Sequence, residues 1–481
     1  MVSMQIRLVA PRLDGRSRPA SAAFIVGFAI LCFALALIFY WPGNVSADLL
    51  GVWLDARNAA ITEPHGLLMS FIWRWLDMLL PGPQLPLAVQ LSVYWCAIAL
   101  LLLHFRPTRT TVIVSGLALS VNPFVLSFSG SLLVDVLSGN LALLGYMVLF
   151  KYSRSSTKTT TVVLSFCLFG LAGLARYQMW IVCPSALGGM LVSDRKDGTM
   201  AGHGSTRNIA IAFAAFLLVA GTVLTAIHET FDIRSDLFNS NLRYSMLYDI
   251  AAVIKASPDV SLRIFSDADV DVDMVRKRAI QKYTPYGHDP LNFGGRGSMY
   301  ELVAKLSTDA IAQQWLDVAS LAPGILLTSR IERFGIFLGF GRPYRCGPLD
   351  FLGLSRVPLE KWTALGKPNL REAYAFELLR SRVFPAGTIL FRPITYLAVS
   401  LVLFAWLTWK QPDGAALVGS LIVSAWLYWL TFVPLPVSCD VRYSYFPCVA
   451  TMFGLASCYL AVFRPKPRKA ESRITPGVEE I

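Results

Sequence analysis

The sequence predicts an all-α polytopic membrane protein, and three observations support that fold class. Hydrophobic residues make up 55% of the 481 residues and charged residues only 15%, with a mean hydropathy of +0.53. Apolar stretches of about 20 residues, the length that crosses a hydrocarbon core as a helix, recur along the chain. Lysine and arginine cluster beside alternate stretches, as they do at the cytoplasmic ends of membrane helices. This composition excludes an ordinary soluble domain.

Ten apolar stretches are predicted to cross the membrane as helices. Two of them depart from the expected pattern: 111–129 contains Asn122-Pro123, and proline interrupts helices, whereas 178–193 is short for a span. No small-residue cleavage site follows the long first stretch, so we expect a retained span rather than a signal peptide. The ten stretches are residues 21–41, 85–105, 111–129, 132–150, 160–176, 178–193, 208–227, 388–409, 415–433 and 444–463.

The basic residues predict how these spans are oriented. With ten spans, every group of lysines and arginines falls on one side of the membrane, and positively charged loops stay in the cytoplasm. Both termini are therefore expected inside. The net charge of +12 comes largely from these juxtamembrane residues, so it gives no reason to expect a nucleic-acid partner. The groups include Arg16, Arg18, Arg106, Arg109, Lys151, Arg154, Lys158, Lys410 and residues 464–469.

The spans divide the chain into four predicted regions. Within the second region, helices are predicted over 245–257, 303–321 and 326–338, and the last is expected to lie at the membrane surface. The regions are an N-terminal membrane domain at 1–227 with spans 1–7 and a first external loop at 42–84, one mixed extracytoplasmic domain at 228–387, spans 8–10 at 388–463, and a disordered cytoplasmic tail at 464–481.

The cysteines do not form a disulfide framework. Six of the eight lie in predicted spans, where cysteine usually behaves as a small hydrophobic residue. Cys346 and Cys439 fall in predicted external regions, so a disulfide between them is one alternative. No CxxC or HExxH spacing is present, and the sequence leaves open whether a divalent metal takes part.

Asp48 lies shortly after the end of span 1, in the first external loop. A carboxylate held at the mouth of a membrane span can act as a base on a substrate arriving from the aqueous side. The simpler alternatives are a solvated loop acid or the N-cap of a following helix. Glu63 and His65 belong to the same loop, and His65 is either a turn residue or a contact to a phosphate or sugar hydroxyl. The loop ends in an amphipathic run, 67–80, suited to the lipid headgroups.

Asp135 is predicted near the external end of span 4. An ionisable residue at that depth costs a few kcal/mol unless it faces a partner or a wet cavity. We interpret it as a second carboxylate near Asp48, and the alternative is an interfacial acid that reaches water.

Arg176 and Arg442 are positive charges on the predicted outer side, against the prevailing bias. Each has a tyrosine directly after it, Tyr177 and Tyr443. Guanidinium groups bind phosphate oxygens in a forked geometry, so two such arginines suit a lipid-linked phosphate. The alternative is that each side chain reaches up to lipid headgroups. Arg392, at the external start of span 8, is a weaker third candidate.

These pieces together resemble the GT-C superfamily of integral-membrane glycosyltransferases, which take sugars from polyprenyl-phosphate carriers. The resemblance is to bacterial proteins related to protein mannosyltransferases and to aminoarabinose transferases of lipid A. It covers most of the chain in the expected order, although each piece is short. The matching pieces are Ser46-Ala47-Asp48, Glu63-Pro64-His65-Gly66, Arg176, Met246-Leu247-Tyr248-Asp249-Ile250-Ala251 and Arg442-Tyr443.

The resemblance implies a role for each matched residue. Asp48 would be the catalytic base, and Arg176 and Arg442 would hold the carrier phosphate. We also count Asp135 and Tyr443 among the candidate substrate-binding residues, as we do Glu63 and His65. Related bacterial sequences often have His-Pro-Pro where this chain has Pro64-His65-Gly66, so the roles of Glu63 and His65 are not fixed by the resemblance. Some members use a divalent metal and others use none.

The implied reaction transfers a sugar, with inversion, from a polyprenyl-phosphate donor to a glycan, lipid or protein acceptor. The resemblance places such an enzyme in the bacterial cytoplasmic membrane with an extracytoplasmic site. Two other classes stay open. A polysaccharide polymerase or ligase also uses external arginines and a large external loop. A glycolipid flippase or transporter would show internal repeats and ionisable residues at the bilayer midplane, and neither is evident.

Overall fold

The computed structural model describes residues 18–43, 45, 47–61, 66–150, 158–196, 203–233, 237–287, 289–292, 297–340, 389–412, 414–434 and 439–462. Over these residues the chain is an all-α membrane protein, as predicted. The strands in the described ranges are two residues long each and form one parallel pair.

The first half of the chain is a series of ten helices. Ser21 caps the first of them by accepting a hydrogen bond from the backbone amide of Phe24. The elements are α1 (Ala22–Tyr40), α2 (Ala47–Asn58), β1 (Ala60–Ile61), α3 (Leu67–Leu79), α4 (Gln84–Phe105), α5 (Arg109–Ser120), α6 (Pro123–Phe128), α7 (Val134–Leu149), α8 (Lys158–Ala175), a 3₁₀ helix (Tyr177–Ile181), α9 (Val182–Lys196) and α10 (His203–Thr230).

A unit of seven helices follows, with its own hydrophobic core. The predicted helix at 245–257 begins earlier, at Leu237, and the one predicted over 303–321 begins only at Thr308, where Ser307 caps it. The elements are β2 (Asp232–Ile233), α11 (Leu237–Ala256), α12 (Arg263–Asp267), α13 (Val272–Lys282), α14 (Asp289–Asn292), α15 (Met299–Leu302), α16 (Thr308–Leu321) and α17 (Pro323–Leu338).

The last three long helices complete the membrane body. They are α18 (Pro393–Lys410), α19 (Ala415–Leu430) and α20 (Tyr445–Val462), and short 3₁₀ helices precede the first and the last (Ile389–Phe391 and Val441–Ser444). Helices α7, α9 and α19 pack together through the hydroxyl groups of Tyr146, Ser185 and Ser424, which are hydrogen-bonded to one another. Such contacts satisfy polar groups within apolar surroundings.

Among the described residues, five helical stretches are long and apolar enough to cross a membrane: Ala22–Tyr40, Gln84–Phe105, Ala210–Thr230, Pro393–Lys410 and Val441–Val462. Shorter apolar helices occur at Arg109–Ser120, Val134–Leu149, Thr159–Ala175 and Ala415–Leu430. The total of ten spans therefore stays a prediction. The stretch predicted at 111–129 is not one continuous helix, because α5 ends at Ser120 and Asn122 caps α6 by accepting a hydrogen bond from the amide of Phe124.

In the predicted first external loop, the amphipathic run expected at 67–80 forms helix α3, which ends at Leu79. Most of 42–84 is helical, since α2 and α3 occupy it, and Asp48 is the second residue of α2 rather than its cap. Strand β1, which follows α2, pairs in parallel with β2, which follows α10, through Ala60 with Asp232 and Ile61 with Ile233. This pairing joins the first loop to the entrance of the seven-helix unit.

Basic residues gather at one end of the helical bundle. The backbone amide of Ala20 donates to the carbonyl of Pro107, at 2.8 Å, and the antiparallel bridge between Pro19 and Thr108 places Arg18 opposite Arg109. The guanidinium of Arg109 lies 5.3 Å from the ring of Phe24 in α1. The start of α1, the end of α4 and the start of α5 therefore share this end.

The cysteines follow the predicted division. Cys439 is disulfide-bonded, and the six cysteines of the apolar helices are free. Cys346 lies outside the described residues, as does the predicted tail at 464–481.

Candidate functional site

The candidate site is built on the first turn of α7. Asp135 lies there with a side chain that is 6% exposed, and Arg176, which follows α8, places Nη1 at 2.5 Å from Asp135 Oδ1. Burying an unpaired carboxylate at this depth would be costly, and the guanidinium supplies the opposite charge. The pair therefore fixes the end of α8 against the start of α7.

Tyr443 is the second element of the site. The Arg176 guanidinium carbon lies 4.6 Å from the centre of the Tyr443 ring, and that of Arg442 lies 5.1 Å from it. Arg442 also pairs through Nε with Asp440 Oδ2 at 2.7 Å, and its Nη2 donates to the Tyr443 hydroxyl at 3.3 Å. The Tyr443 ring thus contacts two guanidinium groups whose residues are far apart in sequence.

We define the two-arginine site as Asp135, Arg176, Asp440, Arg442 and Tyr443. Its two positive and two negative charges balance. The Nε–H of Arg176 makes no hydrogen bond to any residue that the structure describes. A buried donor without an acceptor is available to an arriving anion, and a phosphate oxygen is a strong acceptor for guanidinium N–H groups.

The backbone of the first loop runs against the same end of α7. A Cβ atom added at Gly43 would meet Leu87 and Leu132 at 3.5–3.7 Å, and one added at Gly66 would lie 2.8 Å from Val134 Cγ2. Residue 134 immediately precedes Asp135. Both ends of the segment that contains Asp48 therefore contact the residues just before this carboxylate.

Helix α2 brings position 48 toward this contact. Val52 lies on α2 one turn after position 48, and its Cγ2 would be 3.8 Å from a Cβ atom at Gly66. The backbone of Asp48 belongs to the described helix, but its side chain is not described. Glu63 and His65 lie outside the described residues.

Asp77 of α3 binds side chains of α2 and holds the two helices together. Its carboxylate accepts hydrogen bonds from Trp53 Nε1 at 3.0 Å, from Arg57 Nε at 2.8 Å and from the backbone amide of Gly82 at 2.8 Å. The rings of Trp53 and Trp73 stack beside it, 5.4 Å apart and 9° from parallel. Arg57 thus has a partner in α3 and fixes the helix that carries Asp48.

A second charged centre lies in the seven-helix unit, and sequence reasoning missed it. Asp249 in α11 is 1% exposed at the side chain; its Oδ2 is 2.5 Å from Arg330 Nη2 and its Oδ1 is 2.6 Å from Arg333 Nη2. Trp315 Nε1 donates to the same carboxylate at 3.0 Å. The signal was present in the sequence, because Arg330 and Arg333 are three apart on one helical face and Asp249 interrupts an apolar run.

This second centre fixes α17 to α11. The Arg333 guanidinium carbon lies 4.5 Å from the centre of the Tyr248 ring, and the Tyr248 hydroxyl donates to the carbonyl of Thr284 at 2.6 Å. Burial raises the pKa of the neighbouring Tyr283 to about 12, although the charge of Arg333 acts in the opposite direction. These contacts join α17, α11 and the segment around Tyr283.

The structure describes no group of three or more histidine, cysteine, aspartate or glutamate side chains that could hold a metal ion. No protein-family model, curated protein or solved structure matches the chain. Function must therefore be argued from the two-arginine site and its surroundings.

Proposed function

We propose that the protein transfers a sugar, with inversion, from a polyprenyl-phosphate donor to an extracytoplasmic glycan, lipid or protein acceptor, as a member of the GT-C superfamily. The supporting observation is the meeting of Arg176, Arg442, Asp135 and Tyr443 at one end of the helical bundle. These residues come from three different parts of the chain. A site for a phosphate on a membrane lipid requires cationic donors at the membrane edge, which this arrangement provides.

Asp48 acts as the base in the proposed reaction. It takes the proton of an acceptor hydroxyl while that oxygen attacks the anomeric carbon of the donor sugar. The bond from the anomeric carbon to the phosphate oxygen breaks, and the polyprenyl phosphate leaves with the electron pair. A single displacement of this kind inverts the anomeric carbon. The contacts of Gly43 and Gly66 around Val134 support this role, because they hold the α2 segment beside Asp135.

Arg176 and Arg442 stabilise the charge that grows on the departing phosphate. The donors are already in place, so little reorganisation is needed in the transition state. Asp135 and Asp440 orient the two guanidiniums before substrate arrives. The donor's phosphodiester, a monoanion that becomes a monoester dianion as it leaves, replaces part of this carboxylate pairing, and the Nε–H of Arg176 gives it a first hydrogen bond.

The proposed orientation has ten spans, both termini in the cytoplasm and the site on the outer face of a bacterial cytoplasmic membrane. Its support is the separation of charges along the bundle. Arg18, Arg106 and Arg109 gather at the end where α1 begins, and the site lies where α7 begins and α8 ends. Under the positive-inside rule, the basic end faces the cytoplasm.

The test compares envelope lipids and glycans by mass spectrometry in host cells that carry wild-type or Asp48→Asn protein. We expect a sugar-modified product that disappears with Asp48→Asn at unchanged protein level. The control is Asp267→Asn, which changes an exposed carboxylate on α12 and should leave the product unchanged. Persistence of the product with Asp48→Asn would refute the assignment of the base.

The same cells separate the other two classes. A ligase or polymerase acting on a pyrophosphate-linked chain would release polyprenyl pyrophosphate, whereas the proposed reaction releases the monophosphate. A flippase would move glycolipid across vesicle membranes without forming any transfer product.

A further inference from the structure

The ring of Tyr443 stacks against another aromatic ring. Phe432, two residues after α19, stacks on it with centroids 5.7 Å apart and planes 24° from parallel. The guanidinium carbons of Arg176 and Arg442 lie 4.6 and 5.1 Å from the centre of the Tyr443 ring. The Tyr443 ring therefore contacts one buried aromatic ring and two cations.

Phe432 is itself held from two sides. Its side chain is buried, and the Tyr428 ring meets it edge-on at 5.3 Å from one turn earlier. Phe337, near the end of α17, lies 5.3 Å away on the side of the seven-helix unit. The ring of Phe432 thus has a fixed position that does not depend on a substrate.

We infer that Phe432 is a positioning residue for phosphate binding, acting through Tyr443 on the two arginines. This inference rests on the proposed function and deepens it, because it names a further residue, beside Asp135 and Asp440, that helps to position the two guanidiniums. A tyrosine side chain rotates about two bonds, and a ring stacked against it restricts those rotations. Cation–π contacts lose strength when the ring is no longer under the cation.

Phe337 extends this support into α17. Arg333 lies one turn before Phe337 on the same helix, and Asp249 holds Arg333 against α11. Direct contacts therefore connect the seven-helix unit to Tyr443, through Phe337 and then Phe432. Phe337 is predicted to matter less than Phe432, since it touches Tyr443 only through that ring.

The experiment measures binding of farnesyl phosphate, a short polyprenyl monophosphate, to the purified full-length protein in detergent. Phe432→Met removes the ring at similar volume, and Phe432→Tyr retains a ring. We expect Phe432→Met to raise the Kd about tenfold, the value for loss of well-placed cation–π contacts. Phe432→Tyr should stay within about threefold of wild type.

The control is Phe404→Met, because Phe404 of α18 packs against Trp426 of α19 at 5.0 Å in a similar aromatic pair away from the site. It should leave the Kd unchanged. A double variant tests the route of action: once Tyr443 is replaced by leucine, Phe432→Met should have little further effect on the Kd. Thermal unfolding of each variant confirms that it is folded.

The outcomes separate the two levels of the argument. If wild type binds farnesyl phosphate and Phe432→Met binds it equally well, the positioning role is wrong and the proposed function stands. Equal losses in Phe432→Met and Phe404→Met would also refute the positioning role, because they would reflect general packing. If wild type shows no binding of farnesyl phosphate, the proposed function fails and the inference fails with it.

Discussion

Replacing Asp249 by asparagine is predicted to destabilise the seven-helix unit strongly. The carboxylate is 1% exposed and contacts two arginines, of which Arg333 is 3% exposed. Asparagine retains an acceptor oxygen but no charge, so Arg333 would stay buried without its counter-ion. Breaking such a buried pair costs about 3–5 kcal/mol, because the remaining charge cannot be rehydrated. The expected loss in free energy of unfolding is therefore about 3–5 kcal/mol.

The control is a pair of the same chemistry at the surface. Arg263 and Asp267 lie 3.4 Å apart in α12 with side chains 81% and 66% exposed. Exposed pairs of this kind contribute about 0–1 kcal/mol, so Asp267→Asn should change the free energy of unfolding by no more than about 1 kcal/mol.

Equilibrium unfolding in mixed micelles with increasing sodium dodecyl sulfate measures both variants. Tryptophan fluorescence is a suitable signal, because Trp315 donates to Asp249 directly. The double variant Asp249→Asn/Arg333→Met should be more stable than the sum of its single changes predicts, since both charges are removed. Additive losses, or a cost for Asp249→Asn no larger than that of Asp267→Asn, would refute the reasoning.

Three further predictions concern other parts of the chain. Asp135→Asn should lower sugar transfer at least about tenfold, with farnesyl phosphate binding also weakened, because Arg176 loses the group that orients it; unchanged transfer would contradict this. Gly66→Ala should cost more than about 1 kcal/mol in unfolding free energy, because its φ is +85° and a Cβ atom would lie 2.8 Å from Val134; Gly221→Ala in α10, with open space around it, is the control. Burial raises the pKa of Tyr283 to about 12 from its ordinary value near 10, so the folded state holds this proton more tightly and stability should fall as pH rises between these values. Tyr283→Phe should remove part of that loss in an unfolding series from pH 9 to 12, and an unchanged slope would show that other groups cause it.

Asp135, Arg176 and Arg442 of the two-arginine site were found from the sequence because they break a pattern, whereas Asp440 was missed. Most of the chain is apolar, and a charge such as Asp135 or Arg176 at a span end needs a partner or water. The structure brings Asp135, Arg176, Arg442 and Tyr443 together, which their predicted position at the same ends of the spans anticipated. Their chemical roles stay predictions.

What the sequence did not reveal are the partners of residues distant in the chain. Asp249 and Arg333 are 84 residues apart, and nothing in the local pattern around either one identifies the other. The same is true of Arg57 and Asp77, which turn the expected first loop into two packed helices. Local periodicity predicts that a helix forms, but the packing of helices is decided by side chains that meet only in the folded state.

The two-residue strand pair has a consequence for how the protein is made. Ala60 pairs with Asp232, so β1 must wait until about 170 more residues have been synthesised before its partner exists. At about 5–20 residues per second, that delay is on the order of ten to thirty seconds. Arg442 arrives later still. The site is therefore complete only after Tyr443 has been synthesised, and a chain truncated before Arg442 would insert its first spans without acquiring the paired arginines.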